Sequence, residues 1–207
     1  MNSNITNSNR IYLFDYLKDD KHKNPLKTFL LFLKKHQIKD YSFVYSNCMD
    51  SLHPKMTIRD NLLLDSLPSS IIKKTNSSIS EYLYDLKNNH IKKLIDNIPD
   101  FNKEVHLLEK HEVKLVSLVK ALVAQTDFLF LNQPEMGFSA DQLELLKLAL
   151  QHEAHINNRI IFIKPHSNML WPDIIDCIVS HHDFQFQIEM NPLCENHEFN
   201  KIHKKVI

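Results

Sequence analysis

Glycine is all but missing: the chain has one, Gly137, in 207 residues, where average usage is about 7%. A backbone that wraps closely around phosphate oxygens relies on glycine for its conformational freedom and its lack of a Cβ. The composition therefore argues against a glycine-rich phosphate cradle. Cysteine is scarce too. Cys48, Cys177 and Cys194 lie far apart with no CxxC spacing, which speaks against a disulfide framework or a zinc site and suits free thiols in a reducing compartment. Excess charge of either sign is absent, with 25 Lys plus Arg against 25 Asp plus Glu. No global field draws the protein to nucleic acid or an acidic membrane surface, and any partner must be recognised locally. No apolar run approaches the ~20 residues that span a bilayer, and the opening MNSNITNSNR has no apolar stretch to serve as a secretion signal. The expectation is a cytosolic protein that is not itself transmembrane and has no nucleic-acid partner.

What is present is enough apolar material, 43% of the chain, to bury the core of one domain. Residues 1 to 9 are polar and expected to be disordered, and 184 to 207 read as a polar, histidine-containing tail. Between them, short apolar runs alternate with helical periodicity. Ile11 to Tyr16, the run YSFVYS, FLFLN (128 to 132), RIIFIK (159 to 164) and CIVS (177 to 180) read as buried strands. Helices are expected from Pro25 to about His36, from about Lys110 to Gln125 and from Asp141 to about His155. Thr57 is an N-cap candidate before IRDNLLL, and EYLYDLKNNHIKKLIDNI reads as one helical element ended by Pro99. Alternating strands and helices imply an α/β fold with a mostly parallel sheet, flanked by helices, over residues 10 to 183. The helical block from about 58 to 108 looks like an insertion.

The stretch from Leu107 to Leu150 carries a specific pattern. In LLEKHEVKLVSLVKALVAQTDFLFLNQPEMGFSADQLELLKLAL, the order and spacing resemble the ATPase subunit of ABC transporters. There a signature L-S-G-G-Q leads through a helix ending A-R-A-L to L-L-L-L-D-E-P-T-x-G-L-D. In this ungapped register Lys120-Ala121-Leu122 stands at R-A-L, Phe128 to Leu131 at the strand, and the only glycine, Gly137, at the family's glycine. Upstream, FVYSNCMDSLHPKMTIRDNL resembles the Q-loop segment, with Ser46 at the glutamine position, and KHKNPLKTFLL can be laid on the P-loop, with Lys27 and Thr28 at its lysine and hydroxyl. The resemblance implies a P-loop NTPase-like fold with a helical subdomain. Only 26 residues precede Lys27 and 18 separate it from Ser46, so it also implies a reduced or missing antiparallel β subdomain.

The same register implies a chain stripped of its chemistry. The P-loop glycine positions hold Lys21 and Leu26, and Pro25 between them has no N–H to offer a phosphate. The magnesium-ordering carboxylate is Asn132 and the glutamate that polarises water is Gln133; amides supply neither a base nor the negative charge a hard cation prefers. LEKHE (108 to 112) replaces the signature, Ser139 stands at the D-loop aspartate, and the switch histidine falls on Pro165 or His166 depending on the direction of counting. Lys27, Thr28, Ser46, Asn132, Gln133 and His166 are thus vestigial positions. No catalytic residue, cofactor or metal is expected; HEAH at 152 to 155 lacks the HExxH spacing. In the family the ATPase docks on a membrane subunit through the Q-loop groove and helical subdomain, which points to Ser46, Asn47, Pro54, Met56, Thr57 and Asn61 as docking positions. The reading is a pseudo-ATPase that serves as a docking, scaffold or regulatory subunit. Its partner would be an ABC permease-like membrane protein, an active ABC ATPase or a copy of itself, at the inner face of the membrane. Two alternatives stay open: a low-turnover or nucleotide-sensing ATP-binding protein, and a soluble interaction module with no membrane partner.

Overall fold

A computed structural model describes residues 10–15, 34, 52–64, 83, 86–124, 126–182 and 185–193. The expected strand YSFVYS, the P-loop-like stretch with Lys27 and Thr28, and the docking positions Ser46 and Asn47 lie outside them. So does the helix from Pro25, apart from Lys34, which is helical.

Among the described residues, five strands form one sheet in the order β2-β3-β1-β4-β5. They are β1 (Ile11–Asp15), β2 (Phe128–Asn132), β3 (Ile160–Lys164), β4 (Cys177–His182) and β5 (Gln185–Met190). The pairs β2/β3, β3/β1 and β1/β4 are parallel, and β4/β5 is antiparallel. Helices are α1 (Ile58–Leu63), α2 (Asn89–Ile95), α3 (Lys110–Val123) and α4 (Ala140–His155), with single 3-10 turns at Val105–Leu107 and Asn168–Leu170. The α/β, mostly parallel architecture expected from the sequence is the one found.

The central strands are apolar at successive positions because both of their faces are covered. Alternation sorts the side chains. Ile11, Leu13, Leu129, Leu131, Ile161 and Ile163 join the core built with the helices. Tyr12, Phe14, Phe130 and Phe162 form an aromatic layer, with Tyr12 stacked on Phe162 at 5.0 Å and Phe14 edge-on to Phe130 at 6.2 Å. Burial raises the Tyr12 phenol pKa well above its ordinary value.

Two expectations need correction. The sheet does not stop at 183: Gln185–Met190 pairs along β4 from His182↔Gln185 to Cys177↔Met190, so the supposed tail from 184 contributes the edge strand. Its Q-F-Q-I-E-M run alternates polar and apolar residues, the sequence pattern of a strand. The helix read across EYLYDLKNNHIKKLIDNI is broken at Leu86–Asn88. Asn88 is buried and caps α2 by accepting the N–H groups of His90 and Ile91, while its Nδ2 donates to Ala149 O and Glu153 Oε1. A side chain that satisfies the start of α2 and also ties it to α4 favours the cap over continuation of the helix.

Candidate functional site at the C-terminal edge of the sheet

In open parallel sheets, ligand chemistry gathers beyond the carboxyl ends of the strands. Here β2 ends at Asn132, opposite Lys164 at the end of β3. The next residue, Gln133, has φ +50, in the left-handed region that costs an L residue about 1–2 kcal/mol. Two bonds hold it there: its N–H donates to Lys164 O at 2.6 Å, and its carbonyl accepts Lys114 Nζ from α3 at 2.9 Å. The chain then folds tightly, with Met136 N–H donating to Gln133 O and Phe138 N–H to Glu135 O. Gly137 sits at φ +85, the one place where the single glycine is conformationally required. Ser139 caps α4: its Oγ accepts Gln142 N–H at 3.2 Å and Gln142 Oε1 accepts Ser139 N–H at 3.0 Å, a capping box.

Glu135, buried to 8% exposure, is a member of this cluster that the sequence reading missed. Its Oε1 accepts the backbone N–H groups of both His166 and Ser167, the latter at 3.0 Å. The signal available in the sequence was a carboxylate at the position where D-E-P-T has threonine. Lys114, the other omission, has its pKa lowered by burial, an effect only partly opposed by the Glu135 charge. Asn132, Gln133 and His166 lie at this one edge, where the side chain of His166 is exposed while Pro165 is buried.

The signature-like LEKHE forms the start of α3 and answers its own helix end. Glu112 Oε2 accepts Glu109 N–H at 2.8 Å and lies 3.5 Å from Lys103 Nζ. That backbone bond, helped by Lys103, lowers the Glu112 pKa. An acidic side chain therefore occupies the place where a helix N-terminus would otherwise favour an incoming anion. Within HEAH, Glu153 pairs with Arg159 at 3.2 Å, and the described residues contain no group of three or more His, Cys, Asp or Glu that could hold a metal.

Of the expected docking positions, Pro54 is exposed and Met56 and Thr57 are partly so, but Asn61 must be reassigned. It is 0% exposed and organises the turn from inside: Oδ1 accepts His53 N–H at 2.7 Å, and Nδ2 donates to His53 O and Thr57 O, each at 3.0 Å. Thr57 Oγ1 accepts Asp60 N–H as the N-cap of α1. The turn is also braced by Val105 N–H to Met56 O and His106 N–H to Pro54 O.

No family model and no curated protein matches the sequence. Solved structures do match its fold. An ATP binding subunit of an ABC transporter superposes with a TM-score of 0.64 at 13% identity, over 92% of this chain and 82% of that one. The ATP-binding cassette MJ0796, in a dimeric post-hydrolysis state bound to ADP and Pi, gives 0.62 at 12% identity, over 90% and 87%. RNase-L Inhibitor gives 0.61 at 14% identity over 92% of this chain, which spans only 36% of that longer protein. The chain has the fold of ABC ATPase domains, and no helix among its described residues is long and apolar enough to cross a membrane.

Proposed function

We propose that this chain, folded as an ABC ATPase domain, is a non-hydrolytic pseudo-ATPase that acts as a docking, scaffold or regulatory subunit. The observation that supports this reading most directly is at the end of β2. Two amides, Asn132 as the last residue of the strand and Gln133 just after it, stand in the register where the family pattern has its magnesium-ordering and water-polarising carboxylates. The acid nearest in sequence, Glu135, is buried and engaged by the His166 and Ser167 N–H groups. Its Oε1 is taken up by these two backbone contacts, and the residue as a whole is buried at 8% exposure. The signature segment presents Glu109 and Glu112 where a nucleotide phosphate would require positive or neutral donors.

The surface offered to a partner is the braced turn, where His53, Pro54 and Lys55 are exposed beside His106 and the 59% exposed Leu107. Its stiffness comes from the Asn61 bonds and the strand-like contact with 103–106. A preorganised surface loses little conformational entropy on binding. Family resemblance supports an ABC permease-like membrane protein, an active ABC ATPase or a second copy as the partner; with a permease-like partner the protein sits at the inner face of the membrane.

Thermal unfolding with and without millimolar Mg-ATP tests the non-hydrolytic reading. A ligand at ~100 times its dissociation constant stabilises by about 2.7 kcal/mol, so a family-like nucleotide site is easily seen. The expected outcome is no shift. A clear shift abolished by Lys27→Ala would instead identify a nucleotide sensor.

A further inference from the structure

The loop after β3 and the turn after β2 are joined by one carboxylate. Glu135 lies in the turn, flanked by the buried Pro134, and the segment it meets begins with the buried Pro165. Two successive backbone donors, His166 N–H and Ser167 N–H, converge on Oε1. Hydrogen bonds to an ionised acceptor are roughly twice as strong as neutral ones, and within a buried site they are poorly screened. Across from Glu135, Lys114 contributes a positive charge and is itself bonded to Gln133 O in the same turn. Two elements thus meet at one acid, the β2–α4 turn and the segment from Pro165 to the 3-10 turn at Asn168–Leu170, and α3 braces the same turn through the Lys114 bond to Gln133 O.

We propose that Glu135 is a latch that locks the segment after β3 onto the turn after β2. This goes beyond the pseudo-ATPase reading, since it rests on the protein's own backbone hydrogen bonds and on no nucleotide contact. The loops it fixes carry exposed apolar side chains: Met136 on one, and on the other Leu170 and Met169, the last 89% exposed. The latch sets how these are displayed. Glu135 acts through backbone groups and is a positioning residue.

Amide hydrogen exchange on the full chain without nucleotide tests the latch. In the wild type the His166 and Ser167 amides are expected to be protected. In Glu135→Ala they should exchange on the order of tenfold faster or more, as the loss of hydrogen bonds to a charged group implies, while Phe162 and Ile163 in β3 keep their rates. Glu135→Gln retains an acceptor oxygen but not the charge, and should fall between the two. If the alanine variant does not fold, the wild type and Glu135→Gln decide the matter. Wild-type His166 and Ser167 amides exchanging like free chain, a glutamine variant with unchanged rates, or acceleration spread equally through β3 would each overturn the latch. Because the measurement involves no ATP, it stands apart from the thermal-shift test.

Discussion

The two ends of the central strands treat their buried charges differently. At the amino ends, Arg159 precedes β3 with every N–H used: Nε donates to Thr126 O, Nη1 to Leu122 O and Glu153 Oε2, and Nη2 to Thr126 Oγ1 and, at 3.4 Å, Ala121 O. Glu153 Oε1 in turn accepts Asn88 and Asn157 Nδ2. Although a cavity of about 490 Å³ opens beside this network, its base is made of groups already committed to one another. At the carboxyl ends, Gln133 is held in the left-handed region, and Glu135 Oε2 is buried without a hydrogen bond. One edge is a staple between α2, α3, α4 and β3, whose own left-handed residue, Asn158 at φ +57, is of a type that visits that region readily. The other holds a glutamine there and leaves a buried carboxylate oxygen without a hydrogen bond, features that concentrate at functional sites.

The largest effect should come from the completed edge. Arg159→Met removes the cap on the end of α3 and strands Glu153, whose side chain is only 6% exposed, in the interior; breaking a buried pair this way costs about 3–5 kcal/mol. Denaturant unfolding measures it, and a loss under ~1 kcal/mol would mean that the network does not hold this edge. A smaller loss is expected at the opposite edge from Gly137→Ala. A Cβ there would meet only His111 Cβ at 3.9 Å, an ordinary contact, so the cost is the backbone's alone, about 1–2 kcal/mol at positive φ. A value near zero would show that the turn relaxes freely, and the contrast between a stapled and a strained edge would weaken.

How much of this the sequence reveals depends on whether a feature is periodic or local. The strands β2 and β3 are legible because an unbroken apolar run is what a strand covered on both faces requires. Thr57 is legible as a cap because a hydroxyl precedes an amphipathic run, and it does accept Asp60 N–H. The β5 strand escapes because a polar face lowers its mean hydropathy, although its alternation is plain. Asn88 escapes because its cap is fixed by contacts with Ala149 and Glu153, some sixty residues away. The site divides in the same way. Asn132 and Gln133 follow from register, whereas Asn61, an apparent surface position, proves to be the hub of a turn, and the importance of Glu135 depends on a loop thirty residues downstream. No one-dimensional pattern carries that pairing.

The smallest expected effect separates two partly buried lysines by the sign of their pH dependence. At Lys147, burial alone would lower the pKa, but hydrogen bonds and charges from Glu144 and Asp173 outweigh it and the net shift is upward. Stability from this ammonium is fully present below its unfolded pKa of about 10.4 and is lost as pH rises through the folded value. At Lys114 burial wins over the attraction of Glu135, and the shift is downward. There the unfolded chain binds the proton more tightly, so this residue's contribution improves as pH climbs from the folded pKa towards the unfolded one. Comparing Lys114→Met and Lys147→Met with the wild type by unfolding between neutral pH and ~10 tests this within the range of lysine titration. Removing Lys114 should abolish a component of stability that rises with pH, and removing Lys147 should not. If both variants follow the wild-type slope, Lys114 is paired as well as Lys147, and the carboxyl edge carries less electrostatic cost than its geometry implies.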